Sequence, residues 1–312
     1  MDEKISLRKT FGETIQKLGL KYKNFVVLDS DISNSLHTLL FAKSFPDRHY
    51  SLNGQESTMV NMAAGMTIRG KTVFICGKSA ALIGRGWEQI RNSVAYPNLN
   101  IKIIGSNAGL SAAEEGNSEQ ILEDIALMRL IPNLKIISPA DAIQTRLAIE
   151  TMLLDYGPTY LRLPREASAP IYDPISANFE FGQMDQIKTG EDICIFSTGI
   201  ILTEVLKAAS ELERKGTSTK VINISSLHEL DAETLKTHIA HAKLVVTVED
   251  HSTKGGLGSA IIEALHLSNS PKVQRIGTKT FGESGKYLDL LRKHQIDSKG
   301  IYGQIKNWWF EV

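Results

Sequence analysis

Short runs of β-branched and aliphatic residues recur along this chain, and helical patterns fill the gaps between them. The first set lies at residues 25–28, 72–76, 101–104, 135–137 and 159–161, and the second at 193–196, 220–224, 244–248 and 273–276. The runs are nearly continuous in apolar character rather than alternating, so neither face of such a strand can be left in water. Parallel sheets with helices on both faces meet that demand. The pattern therefore predicts an α/β protein of two doubly wound domains with mainly parallel sheets.

Between the two sets, from Ala167 to Gly190, periodicity fails, and Pro170, Pro174 and Gly182 read as a linker over the surface. The division expected is 1–170 for the first domain, 171–187 for the linker and 188–312 for the second. A length of 312 residues suits two domains, and 42% apolar with 22% charged residues is the range of an ordinary globular chain. Lys+Arg and Asp+Glu are each 35, so there is no basic surplus to attract nucleic acid or an anionic membrane. Cys76 and Cys194 each sit inside an apolar run, which fits buried thiols in a reducing cytoplasm and offers no metal-ligand spacing.

One carboxylate stands out. After a short extended piece, 49–52, the chain turns at Asn53-Gly54 and enters an apolar helix at about Glu56. Val60, Ala63 and Ala64 supply its stripe, and Gly70 ends it. Elsewhere, Ser6 to Leu18 reads as an amphipathic helix stopped by Gly19, and Pro139-Ala140-Asp141 opens a helix that runs to about 155. Gly255-Gly256-Leu257-Gly258 is not a dinucleotide fingerprint, and it reads as a tight loop docking a helix, with His251 structural beside it.

Asn53-Gly54-Gln55-Glu56 with Ala63-Ala64-Gly65 resembles the turn and helix of the transketolase family's pyrimidine domain. Phe45-Pro46-Asp47-Arg48, Ala95-Tyr96-Pro97-Asn98-Leu99, Glu123-Asp124-Ile125-Ala126 and Ser138-Pro139-Ala140-Asp141 extend the likeness. Val248-Glu249-Asp250-His251 and Phe281-Gly282-Glu283-Ser284-Gly285 resemble that family's C-terminal domain. The resemblance covers the C-terminal half of a transketolase, or of the related deoxyxylulose-phosphate synthase, as a separate subunit.

That resemblance implies thiamine diphosphate as cofactor, with Glu56 as the catalytic residue hydrogen-bonded to the aminopyrimidine ring. A carboxylate that shares a proton with a ring nitrogen needs a dry setting, and an apolar helix mouth can provide one. Asp31 and Ile32 would border the cofactor, and Arg85 keeps the form used by the synthase branch. Arg8, Ser35 and Arg165 match phosphate-binding positions, Arg165 through a planar fork suited to phosphate. No Gly-Asp-Gly motif occurs. Magnesium and the diphosphate would therefore fall to an N-terminal partner subunit in a heterotetramer of two copies of each chain.

Three departures from the family pattern bear on substrate. Ser79 and Leu82 stand where an aromatic ring would stack on the cofactor, leaving Leu82 to pack by dispersion. Asn107 and Glu119 replace histidines, and Glu114, Glu115 and Glu119 together predict an acidic loop. Asn107, Glu115 and Glu119 are thus expected to meet a modified sugar-type substrate, because an ionised glutamate accepts where an imidazole can donate. The reading is a transferase passing a two-carbon ketol or acyl unit between sugar-type, phosphorylated substrates. A 2-oxo acid dehydrogenase β-type component and a non-catalytic subunit with a decayed site are the alternatives.

Overall fold

A computed structural model describes residues 3–227, 229–265 and 272–311. The first unit runs α1 (Leu7–Lys21), β1 (Phe25–Asp29), α2 (Leu39–Ser44), β2 (His49–Ser51), α3 (Glu56–Ile68), β3 (Thr72–Lys78), α4 (Ser79–Gln89), β4 (Ile101–Ser106), α5 (Asp124–Arg129), β5 (Lys135–Ile137), α6 (Ala142–Leu154) and β6 (Thr159–Leu163). The second runs β7 (Met184–Lys188), β8 (Ile193–Thr198), α7 (Leu202–Arg214), β9 (Thr219–Ile224), α8 (Ala232–Ile239), β10 (Leu244–Ser252), α9 (Leu257–Leu265), β11 (Val273–Thr278), α10 (Tyr287–Lys293) and α11 (Ser298–Trp309).

The first sheet has the order β2-β1-β3-β4-β6-β5, and all its pairs are parallel. The second has the order β11-β10-β8-β9-β7, parallel except for the antiparallel edge strand β7. Alternate residues of β1 show why the first sheet is covered twice. Phe25 and Val27 pack with Phe11, Phe41 and Phe74 under α1 and α2, whereas Val26 and Leu28 pack with Met59, Val60 and Ala63 of α3. Cys194, Phe196 and Ile222 of the second sheet join that latter cluster, so the two units share a core.

Several local expectations change. β7 lies within the stretch read as linker, where its polar sequence Met-Asp-Gln-Ile-Lys hides an edge strand with one partner. Gly19 does not stop α1. It sits where an added Cβ would collide with the rings of Phe45 and Phe41, so its role is close packing. Trp308 and Trp309 end a full helix, α11, which is capped by Asp297 accepting from Gly300 N–H at 3.0 Å. As expected, Asp141 caps α6, accepting from Gln144 N–H at 2.8 Å, and Gly70 with φ +83° closes α3.

Register aligns the strand ends. Lys78 is level with Ser106, and Ser106 with Leu163, so β3, β4 and β6 finish abreast. In an open parallel sheet, ligands bind outside the carboxyl ends near the point where strand order reverses. Here that point lies between β1 and β3. The loops that leave these strands carry the residues of interest.

Candidate active site

Glu56 opens α3 and is buried, at 4% exposure, although a carboxylate is rarely so enclosed without a partner. Its partner is Arg85 of α4, whose Nη1 lies 3.1 Å from Glu56 Oε2. The two helices are also stitched by the Ser57 hydroxyl, which donates to the Arg85 carbonyl at 2.6 Å. Gly54 supplies the φ of +60° that turns the chain from β2 into α3. The carboxylate thus sits at the positive end of a helix, with a largely solvent-facing guanidinium over it.

After β1 the chain makes a tight loop around Asp29. Its Oδ1 accepts from Ile32 N–H at 2.7 Å and its Oδ2 from the Thr38 hydroxyl at 2.5 Å. Burial raises the Asp29 pKa above the usual carboxylate range, partly offset by those two bonds. The loop holds Asp31 exposed, at φ +63°, and Ile32 almost buried beside it. It also delivers Ser35 to Arg8.

The residues expected to bind substrate come together. Arg8 Nη1 donates to Ser35 Oγ at 2.5 Å and to Asn107 Oδ1 at 3.0 Å, and its Nη2 donates to the Arg165 carbonyl at 3.2 Å. Asn107 Nδ2 donates to Glu115 Oε1 at 3.0 Å, and Arg165 Nη1 reaches the same oxygen at 3.1 Å. Arg8 is pressed below the ordinary guanidinium pKa by burial and by Arg165, yet a guanidinium in a protein stays charged. Its buried Nε has no hydrogen-bond partner.

Sequence reasoning missed Lys78. It ends β3 at the reversal point of the sheet, and its Nζ lies 2.8 Å from Glu115 Oε2 and 3.3 Å from Glu119 Oε2. Burial works against its charge, but Glu115 and Glu119 outweigh that and raise its pKa, so the ammonium persists. The expected acidic loop is therefore corrected, since Glu115 and Glu119 are neutralised by Lys78 and Arg165 while Glu114 faces solvent. A lysine at the end of an apolar run was the available signal, but its meaning depends on strand order.

A second correction concerns Ser79 and Leu82. Neither has accessible surface, and Ser79 Oγ is within 3.2 Å of the Tyr160 hydroxyl. Leu82 packs in the shared core, so it has no face free for a ring to stack on. Trp87 is half-buried, and its indole N–H donates to the Leu127 carbonyl at 3.0 Å. Among the described residues, no group of three His, Cys, Asp or Glu side chains is placed to hold a metal ion.

The second unit braces this site. Asp250 Oδ1 accepts from Leu110 N–H at 3.0 Å, Ser252 N–H donates to the Leu122 carbonyl at 2.7 Å, and Gln120 Nε2 donates to the Glu283 carbonyl at 2.8 Å. Arg162, itself buried, bridges from Asp124 (2.8 Å) to the Asp250 carbonyl (2.8 Å). The glycine loop serves the protein itself. Leu257 N–H and Gly258 N–H, at the start of α9, donate to Glu249 at 2.7 and 3.0 Å. His251 is buried against Ala126 N–H, which donates to its Nε2 at 3.3 Å.

Family models described as "Transketolase, pyrimidine binding domain" and "Transketolase, C-terminal domain" match residues 3–170 and 182–301. The chain belongs to the transketolase family. A "Putative transketolase C-terminal section" from Methanocaldococcus jannaschii is 42% identical over 302 residues, covering 96% of this chain and 95% of the relative. An apulose-4-phosphate transketolase subunit from Phocaeicola vulgatus is 32% identical, covering 95% of each. A solved structure described as "Split gene transketolase, inactive beta4 tetramer" matches with a TM-score of 0.88 at 34% identity, over 98% of both chains. The chain spans about half of longer transketolase relatives, 49% of the human "Transketolase-like protein 2". It is thus similar in extent to split transketolase subunits.

Proposed function

We propose that this transketolase-family chain is one subunit of a thiamine-diphosphate-dependent enzyme that transfers a two-carbon ketol unit between sugar-type substrates. The observation that carries the reading is Glu56, a nearly buried carboxylate at the first turn of α3. The polar cluster of Arg8, Ser35, Asn107 and Arg165 stands at the carboxyl ends of the same sheet. Thiamine diphosphate, when bound, supplies the nucleophilic carbon that attacks a ketone and carries the two-carbon unit.

The residues of this chain then have separable duties. Glu56 would share a proton with a ring nitrogen of the aminopyrimidine, with Arg85 beside it as counter-charge. Asp31 and Ile32 border the cofactor on the loop fixed by Asp29. Ser79 and Leu82 are not needed as contacts and support the floor from within. Arg8, Ser35 and Arg165 take a substrate phosphate, and Asn107, Glu115 and Glu119 face its hydroxyls.

Magnesium and the diphosphate fall to a partner subunit in this reading, and the working particle is a heterotetramer in the cytoplasm. The Phocaeicola relative is named as a subunit and as acting on a sugar phosphate, which supports both the partner and the phosphate. The solved relative is described as an inactive tetramer of β chains, which supports a need for a second kind of chain. Among the described residues, no helix is long and apolar enough to cross a membrane.

The sealed Ser79 and Leu82 favour a second reading, a structural subunit whose cofactor site has decayed. One experiment separates the two. The chain is purified with a genetic neighbour that carries a Gly-Asp-Gly motif and titrated with thiamine diphosphate and magnesium by calorimetry. Micromolar binding by the pair, absent from the chain alone, is expected. No binding by the pair leaves the structural reading standing.

A further inference from the structure

The groups read above as a phosphate site already hold an anion of the protein's own. Both oxygens of Glu115 are engaged, Oε1 by Arg165 Nη1 (3.1 Å) and Asn107 Nδ2 (3.0 Å), and Oε2 by Lys78 Nζ (2.8 Å). Arg8 backs this cradle through Asn107 Oδ1 and keeps an unpartnered buried Nε. We infer that Glu115 is an internal occupant of the cradle, which a dianionic phosphate monoester displaces and a monoanionic sulfonate does not. The inference rests on the phosphate reading of this site and adds Lys78 as a further substrate contact.

Charge carries the argument. Arg8, Arg165 and Lys78 face Glu115 and Glu119, and Glu166 also acts on Arg8, so three cations meet three carboxylates. Withdrawing Glu115 leaves one positive charge for an incoming anion to meet. A phosphate monoester brings about −1.5 to −2 at neutral pH, more than the single charge of the carboxylate it replaces, whereas a sulfonate brings one negative charge, no more than Glu115 itself. A tetrahedral anion also offers three oxygens to donors that a planar carboxylate serves with two.

The carboxylate is placed to leave. Glu115 is 26% exposed, and Lys78 and Arg165 are each about a third exposed. Ion pairs at such depth are screened and hold weakly, so an external anion can compete. The segment also has means to swing, with Ala113 at φ +50° and Gly116 at φ +86° on either side of Glu115. For alanine that conformation is strained and persists only while its surroundings hold it.

The test uses the full chain alone, without cofactor or partner. Methyl phosphate and methanesulfonate are titrated at about pH 8, where the phosphate monoester is fully dianionic because its second proton leaves near pH 6. Arginine side-chain NMR signals give the affinities. Wild type is expected to bind methyl phosphate more tightly than methanesulfonate. Glu115→Gln, close in shape but uncharged, should tighten methyl phosphate by about two- to fivefold, the scale of one partly exposed ion pair. It should tighten methanesulfonate as well, and Lys78→Gln should weaken methyl phosphate.

Equal or weaker methyl phosphate binding in Glu115→Gln, with its thermal unfolding unchanged, overturns the inference. Glu115→Asp, which retracts the carboxylate, must also tighten methyl phosphate, and serves if the glutamine variant unfolds. Arg165→Ala tells the two levels apart. If that variant binds methyl phosphate as well as wild type, the phosphate site itself is wrong. If it loses binding while both Glu115 variants match wild type, only the role given to Glu115 fails. Absence of binding in wild type and every Glu115 variant also overturns it.

Discussion

Arg85 Nη1 lies 3.1 Å from Glu56 Oε2, and the two side chains differ sharply in setting, Arg85 at 65% exposure and Glu56 at 4%. A buried acid is thus covered by a cation that water can reach. The guanidinium supplies the counter-charge that a buried carboxylate needs, while its exposure leaves that cover replaceable.

Glu56→Gln is expected to slow deuterium exchange at the thiazolium carbon of bound thiamine diphosphate by about 10²–10⁴, the range of a lost acid–base group. Cofactor affinity in the reconstituted complex should change far less. Exchange at the wild-type rate would mean that Glu56 serves only the start of α3.

Arg8→Ala and Arg165→Ala should each raise KM for a phosphorylated substrate and leave cofactor affinity alone. A charge-assisted hydrogen bond is worth about 1.5–3 kcal/mol, or about 10- to 150-fold. Arg8 meets Ser35, Asn107 and the Arg165 carbonyl, so its loss should also loosen those partners. Steady-state kinetics with a phosphorylated substrate and its unphosphorylated analogue give the answer. An equal effect on both would remove phosphate from the site.

Stability should depend on pH through Lys102 of β4. Its buried Nζ donates to the carbonyls of Asp155 and Gly157, both at 2.8 Å, which two N–H groups of a neutral amine can satisfy. Burial lowers its pKa from 10.5 to about 7. Below about pH 7 both folded and unfolded chains carry the proton, and the cost of burying the charge is at its full. Between that value and 10.5 the unfolded chain holds a proton that the folded one lacks, so stability rises with pH. Urea unfolding of wild type and Lys102→Met from about pH 7 to 9 checks the sign, because the rise in wild type should be missing from the variant.

Arg162→Met removes the buried cation that faces Asp124 and should destabilise the fold by about 3–5 kcal/mol, the cost of an orphaned buried charge. Thermal unfolding measures it. A change under about 1 kcal/mol would mean that this buried pair adds little to the fold.

The sheets were legible because their central parallel strands are apolar on both faces, and Phe25 and Val26 do face different cores. Glu56 was legible because Asn53-Gly54 and the apolar stripe behind it mark a turn and a helix start. Lys78 was not, since its role follows from β3 and β4 finishing level, with Lys78 beside Ser106. Ser79 and Leu82 misled for a related reason. The start of α4 turns them toward Tyr160 and the core, and no local pattern reports that rotation. β7 was lost because an edge strand with half-buried polar residues has no periodicity to find.

The hydrogen bonds that Leu110 N–H, Gln120 Nε2 and Ser252 N–H donate to Asp250, the Glu283 carbonyl and the Leu122 carbonyl carry a consequence for dissection of the molecule. The second unit scaffolds the loop that presents Glu115 and Glu119. Cutting the polypeptide in the stretch between the two family domains would divide it at its covalent seam and not at its working one. The liberated N-terminal fragment would keep Glu56 and Arg8 but lose the frame that sets its substrate loop. Selectivity between substrates would then fade before the ability to engage a cofactor did.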